Sequence, residues 1–328
     1  MGNSNEVVGL DYWLRWQVPV CALILLVPTA ISLILINRND RDPLKFTDLW
    51  FPCWRNLNPF WLLLYRVFAF TSMAFVLYQI VVAFGFFVFY FYTQWTFTLV
   101  IFYFALATVI SARGCWMYMK NPSFQSGEGD KFLKKDSEES KHESKTTYKG
   151  INLQGHHSQV QNEQLAGFWG YLMQNVYQTC AGASTLTDIV FWCLLLPFMS
   201  GENFQLTVLI GCMHSLNAVF LLIDSTLNSL PFPWHRLTYF VLWSSAYTFF
   251  QWILHACGFT WWPYPFFELS TPWAPLWYFS LALVHIPSYG IYVLLIKAKG
   301  SIFPRMFPRA FVRVLVSASR NSVEKKQT

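Results

Sequence analysis

Charge is scarce in this sequence. Asp, Glu, Lys and Arg together make up 12% of the 328 residues, while 55% are hydrophobic. A soluble domain carries about 25% charged residues. The few charges crowd into connectors, and long stretches have none. This excludes a soluble globular domain and predicts an all-α, polytopic transmembrane helical bundle. Paired cysteine is also lacking. Cys21, Cys53, Cys115, Cys180, Cys193, Cys212 and Cys257 form no CxxC and no regular spacing, which argues against a disulfide framework or a zinc knuckle. They read as small apolar packing residues. The histidines include no i, i+3 or i+4 pair placed in a span, so no metal and no cofactor is expected. The absence of an internal repeat weighs against a proton-coupled transporter. Position 6 is Glu6 rather than Ser or Thr, so MGNSNE is not a myristoylation signal. No A-x-A-like site follows the first apolar run, which is therefore read as a retained span.

What is present is apolar sequence in span-length pieces. A span needs about 20 such residues. Seven segments qualify: 18–36, 66–91, 94–112, 168–199, 204–226, 236–257 and 273–297. The fourth begins FWGYLMQNVYQTCAGAS, too polar for lipid contact, and is expected to face the bundle interior. Lys and Arg fill alternate connectors: Arg38, Arg41, Lys45 and Arg55 after span 1, and eight basic residues from Arg113 to Lys149 after span 3. Arg236 ends the loop after span 5, and the tail is basic again from Lys299. Connectors 92–95, 200–203 and 258–272 hold none. The positive-inside rule then places the N-terminus outside or in a lumen and the C-terminus in the cytosol. The net charge of +6 is juxtamembrane, so anionic headgroups at the basic tail are the expected partner, not nucleic acid.

The chain thus divides into an outer segment 1–17, spans 1–3 within 18–112, and a loop 113–166. Spans 4–7 follow within 167–297, then a basic cytosolic tail 298–328. The loop is mostly polar and low in apolar residues, and reads as a disordered cytosolic linker. Its His142, His156 and His157 read as solvated residues rather than a metal tract. The connector 258–272 is dense in Trp, Tyr, Phe and Pro. It reads either as an aromatic belt at headgroup level or as a lid over a portal for lipid. The final KKQT places Lys325 and Lys326 where a dilysine signal for retrieval to the endoplasmic reticulum would sit; a plasma-membrane location is the alternative.

Ionisable residues inside spans are costly and are functional candidates by default. They are Asp188 in span 4, His214 in span 5, His255 near the outer end of span 6 and His285 in span 7. Arg66 and Asp224 lie near inner span ends, where Arg66 can snorkel and Asp224 can meet water. His214 is about ten residues, roughly 15 Å, from the outer end of its span. The bland reading of each histidine is a helix-packing hydrogen bond; a haem or other metal held by two of them is the sharper one.

Several stretches resemble the rolling stone-like membrane proteins: FPCWRNLNPFWLLLYRVFAF, YTQWTFTLVIFYFALATVISA, TDIVFWCLLLPF, MHSLNAVFLLID and WILHACGFTWWPYPFFEL. The similarity runs from about residue 46 to about 297, omitting the long loop. More distantly the core resembles the androgen-induced gene family of membrane hydrolases, which cleave fatty acid esters of hydroxy fatty acids with a threonine and a histidine. That family's Gly-Met-His-Thr matches Cys212-Met213-His214-Ser215, and its Leu-Thr-Phe matches Trp95-Thr96-Phe97. Its later pattern of a histidine, a glycine and Tyr-Pro-Phe matches His255, Gly258 and Tyr264-Pro265-Phe266. Cys212 and Ser215 depart from the pattern, as do the long loop and the extra N-terminal spans. The resemblance implies Thr96 as nucleophile and His214 as base. His255 is the alternative base, Asp188 orients the imidazole, and Ser215, Asn217 or backbone N–H groups stabilise the oxyanion. Membrane lipids are then the partners and an acyl ester the substrate. The competing expectation is a non-enzymatic scaffold.

Overall fold

The computed structural model describes residues 9–38, 43–55, 57–120, 165–199 and 208–311. The stretch 121–164, with His142, His156 and His157, lies outside them, as do Lys325 and Lys326. Among the described residues the chain is helical, without strands; two isolated bridges pair Lys45 with Leu165 and Trp54 with Phe311. The helices are α1 (Leu10–Trp13), α2 (Gln17–Arg38), α3 (Thr47–Trp50), α4 (Pro59–Phe84), α5 (Tyr92–Lys120) and α6 (Phe168–Ile189). Then come α7 (Val208–Met213), α8 (Leu216–Leu227), α9 (Leu237–Ala256) and α10 (Ala274–Met306). Among the described residues, five stretches are long and apolar enough to cross a membrane: α2, α4, α5, α7 with α8, and α10. The chain is an integral, multi-pass membrane protein.

Helix limits depart from the apolar runs where local chemistry overrides hydropathy. The second span was expected at 66–91. Its helix starts at Pro59, preset for the first helical position, and Asn58 caps it by accepting from the Phe60 N–H at 3.0 Å. It stops at Gly85, whose φ of 72° an L side chain disfavours. A 3₁₀ turn, Phe86–Tyr90, then leads into α5. The loop expected from 113 begins later, because α5 continues to Lys120. There Arg113 lies over the Phe46 ring and Lys120 over the Trp116 ring. The tail expected from 298 likewise starts as helix, α10 running 33 residues to Met306.

Helix α6 is the centre of the bundle, packed against α5, α9 and α10. That explains its polar sequence: Gln174, Gln178, Thr179 and Ser184 are buried among neighbours rather than set against lipid. Small residues let the partners close in. A Cβ on Gly182 would stand 2.6 Å from the Phe240 ring. The opposite case is α2, whose Leu23, Leu26, Val27, Ile31 and Leu33 are all exposed, as lipid-facing residues must be. Beyond Ile189, α6 widens into a π segment, Val190–Leu195, before a last α turn at Leu196–Met199.

The helix ends gather on two faces. On one, Cys53 N–H donates to Leu227 O at 2.8 Å, Arg55 N–H donates to Ala310 O at 2.7 Å, and Ala166 N–H donates to Leu44 O at 2.7 Å. On the other, Tyr90 donates to Trp261 O at 2.7 Å and Tyr12 to Glu268 at 2.8 Å.

At the first face lies a buried ion pair. Arg66 Nε donates to Asp224 Oδ1 at 2.9 Å, and both side chains are fully buried. Arg66 Nη1 donates to Leu49 O and Ser111 Oγ, while Tyr103 and Asn228 donate to Asp224 at 2.5 and 2.7 Å. Neither group does what its position near a span end implied: Arg66 does not snorkel, and Asp224 is not open to solvent but fully buried. Lys299 Nζ donates to the carbonyls of Ser225 and Asn228, both at 2.6 Å, satisfying the end of α8.

Candidate functional site

A cavity of about 150 Å³ lies among α2, α5, α6, α9, α10 and the 258–272 connector. Its wall is mostly apolar, from Ile24, Leu25, Leu186, Val190, Phe191 and Leu281 among others. Polar groups enter at Tyr92, Thr93, Ser244, Ser245, His214 and His285. A second depression, between α5, α6 and α9, has no histidine, carboxylate or cysteine in its wall.

His214 occupies the break between α7 and α8. Ser215 (φ −134°) interrupts the helix and gives no side-chain cap. The imidazole lies flat on Phe191 of the π segment, with centroids 3.6 Å apart and planes at 3°. Trp192 Nε1 donates to His214 O at 3.1 Å, satisfying a carbonyl at the break. Two helical irregularities therefore meet at one wall of the cavity, and π segments recur at functional sites. His214 Nδ1 is buried and has no hydrogen-bond partner among the described residues.

The structure brings some of the expected residues together and separates others. Asn217 Nδ2 donates to Asp188 Oδ1 at 3.3 Å, so Asp188 is held by Asn217 rather than turned to His214. Asn217 Oδ1 accepts from the Ala218 N–H at 2.9 Å. Thr96 is fully buried and its hydroxyl has no partner among the described residues. It is not in the cavity wall; Tyr92 and Thr93, one turn earlier on the same helix face, are. The side chain of Gln94 meets the sulfur of Met213, so the start of α5 does abut the His214 break.

His255 lies elsewhere, in an aromatic box. It stacks on Trp262 at 4.2 Å and approaches Tyr12 at 4.9 Å and Trp13 at 5.9 Å. Both its ring nitrogens lack partners among the described residues. His285, weighed at the sequence level but not placed in the site, does line the cavity. Its Nδ1 lies 2.7 Å from Leu281 O and so carries the proton, which leaves Nε2 as a buried lone pair without a partner. Thr93 was missed entirely; its i, i+3 relation to Thr96 was the signal available.

The aromatic connector folds inward. Trp262, Tyr264, Phe266, Phe267 and Leu269 are buried, and three of them, Tyr264, Phe266 and Phe267, line the cavity. It covers the cavity as a roof, while Phe259, Trp261 and Trp273 stay exposed. Glu268 latches it to the N-terminal segment, accepting from Tyr12 at 2.8 Å and from the Ser270 N–H at 2.9 Å. Burial pushes the Glu268 carboxyl up, but the Ser270 and Tyr12 donors together hold it below the ordinary 4.5. A carboxyl depressed in the folded state stabilises above its ordinary value and loses that contribution as pH falls through its own lower one. Amide exchange of residues 9–16 should therefore be flat from about pH 8 to 5 and quicken as pH falls below the ordinary carboxyl range, relative to intrinsic rates. Glu268→Gln should abolish the dependence; an unchanged dependence in that variant rejects the latch.

No group of three or more metal-ligating side chains occurs among the described residues. Compared with known proteins, the chain matches no family model, no curated protein and no solved structure.

Proposed function

We propose that this is a seven-span membrane protein of the rolling stone-like kind, and that its cavity takes the acyl chain of a lipid ester for hydrolysis. The reading takes the two helices α6 and α9, 22 and 20 residues long, as the remaining two spans. Their polar residues turn to neighbours, which lowers their apolarity without shortening them. In this reading the basic connectors lie on the cytosolic face and the N-terminal segment lies with the roof on the other. Residence in the endoplasmic reticulum rests on Lys325 and Lys326 alone.

The observation that carries the reading is the cavity itself. Its wall is apolar, yet it holds His214 and His285, each with a buried ring nitrogen unpartnered among the described residues. Buried polar atoms left without partners call for an explanation, and a bound ligand is one. An apolar pocket with a few convergent polar groups suits a lipid whose one polar region is its ester. In the chemistry proposed, the Thr96 oxygen attacks the ester carbonyl while His214 takes its proton. The proton passes to the departing alkoxide, giving an acyl-threonine and a free alcohol. Water, deprotonated by His214, then releases the acid. The non-enzymatic scaffold is supported by two facts: Thr96 lies outside the cavity wall, and Asp188 is engaged by Asn217.

The test is hydrolysis of a branched fatty acid ester by protein in lipid, with a variant that fills the cavity. Ala282→Phe puts a ring into the wall while leaving Thr96 and His214 unsubstituted. It should lower turnover about tenfold or more by displacing the acyl chain, while Ala282→Gly should not. Turnover indifferent to Ala282→Phe places the reaction elsewhere; a wild type inert toward this ester and its relatives favours the scaffold.

A further inference from the structure

We infer that the arginines around the Trp54–Phe311 bridge form a headgroup site for an anionic phospholipid, independent of the cavity and its chemistry. Three exposed arginines lie near it on two segments distant in sequence. Arg55 is tied by its own N–H to Ala310 O at 2.7 Å, which puts it beside Arg309; Arg305 is in the last turn of α10. Arg55, Arg305 and Arg309 are exposed, and among the described residues none has a recorded carboxylate partner.

What holds them is aromatic. Trp54 packs its ring against Phe303, Phe307 and Phe311 at 5.5 to 5.6 Å, and its Nε1 donates to Thr226 O at 2.8 Å. The backbone carrying the arginines is therefore pinned to the end of α8. Around them Ile302, Met306 and Phe307 are exposed apolar surface at the end of a membrane-length helix. Guanidinium groups beside exposed apolar residues match a phosphate headgroup above its acyl chains, and the planar fork suits phosphate oxygens. A soluble anion would use the charge but leave the apolar rim uncovered. The occupant is therefore a lipid, with phosphatidic acid as the simplest probe.

Protein reconstituted in phosphatidylcholine would be doped with spin-labelled phosphatidic acid or spin-labelled phosphatidylcholine, and the fraction of immobilised label compared. Wild type should prefer phosphatidic acid by about fivefold or more, as expected for even one arginine at an anionic surface. Added salt should weaken the preference and millimolar inorganic phosphate should not displace the lipid. Arg55→Gln with Arg305→Gln and Arg309→Gln should erase it. Arg38→Gln with Arg113→Gln and Lys120→Gln, the same charge change elsewhere on the face, should leave it. Equal loss in the two triple variants would mean a diffuse charge effect and overturn the site, as would no preference in wild type or displacement by free phosphate. None of these outcomes depends on ester hydrolysis.

Discussion

Asp224→Ala is expected to destabilise the protein by about 3–5 kcal/mol, the cost of leaving one member of a buried ion pair uncompensated. Asp224 accepts from Arg66, Tyr103 and Asn228, so its removal strands three donors in a buried region. Arg66→Met should cost nearly as much, since the carboxylate then keeps only two neutral donors. Arg66→Met with Asp224→Leu should recover much of the loss, because apolar replacement of both charges removes the desolvation penalty together with the attraction. The measurement is equilibrium unfolding of all four proteins in mixed micelles. Additive losses in the double variant would show that the two side chains do not act as a pair.

The second large effect concerns chemistry. In the hydrolase reading, His214→Ala should lower turnover of a branched fatty acid ester by about 10²–10⁴-fold, the usual contribution of a positioned base. Thr96→Ala should lower it at least as far, since no acyl intermediate can form. Thr93→Ala is the informative companion. Thr93 lines the cavity and Thr96 does not. If Thr96 attacks, Thr93→Ala should raise KM and spare kcat. If Thr93→Ala removes turnover while Thr96→Ala retains it, the nucleophile is one turn earlier than the resemblance implies. Turnover persisting in well-folded Thr96→Ala and His214→Ala proteins would return His214 to a packing role against Phe191.

Much of the bundle was legible because span-length apolar runs need no partner to be recognised. The polar first half of α6 was also readable as interior, since Gln174 and Gln178 have no place against lipid. Helix ends were less so: α5 and α10 overrun their apolar stretches because Lys120 and Arg305 continue a helix as well as apolar residues do. The Arg66–Asp224 pair was invisible, as two charges on spans far apart in sequence carry no mark of their contact. The site was legible in part. His214 was recognisable as an ionisable group in a span, but its seat on Phe191 depends on a π segment with no local sequence mark. Asp188 was read toward His214, whereas Asn217, three residues further along the chain, reaches it instead.

The buried pair also sets a timetable. Arg66 leaves the ribosome 158 residues ahead of Asp224. At about 5–20 residues per second, a newborn α4 waits roughly 10–30 s with a guanidinium and no carboxylate to meet it. During that interval the hydrocarbon cannot receive it at low cost, and its long side chain can keep the charge among headgroups. Full descent of α4 is therefore tied to the emergence of α8, and the insertion of one helix is completed by the synthesis of another.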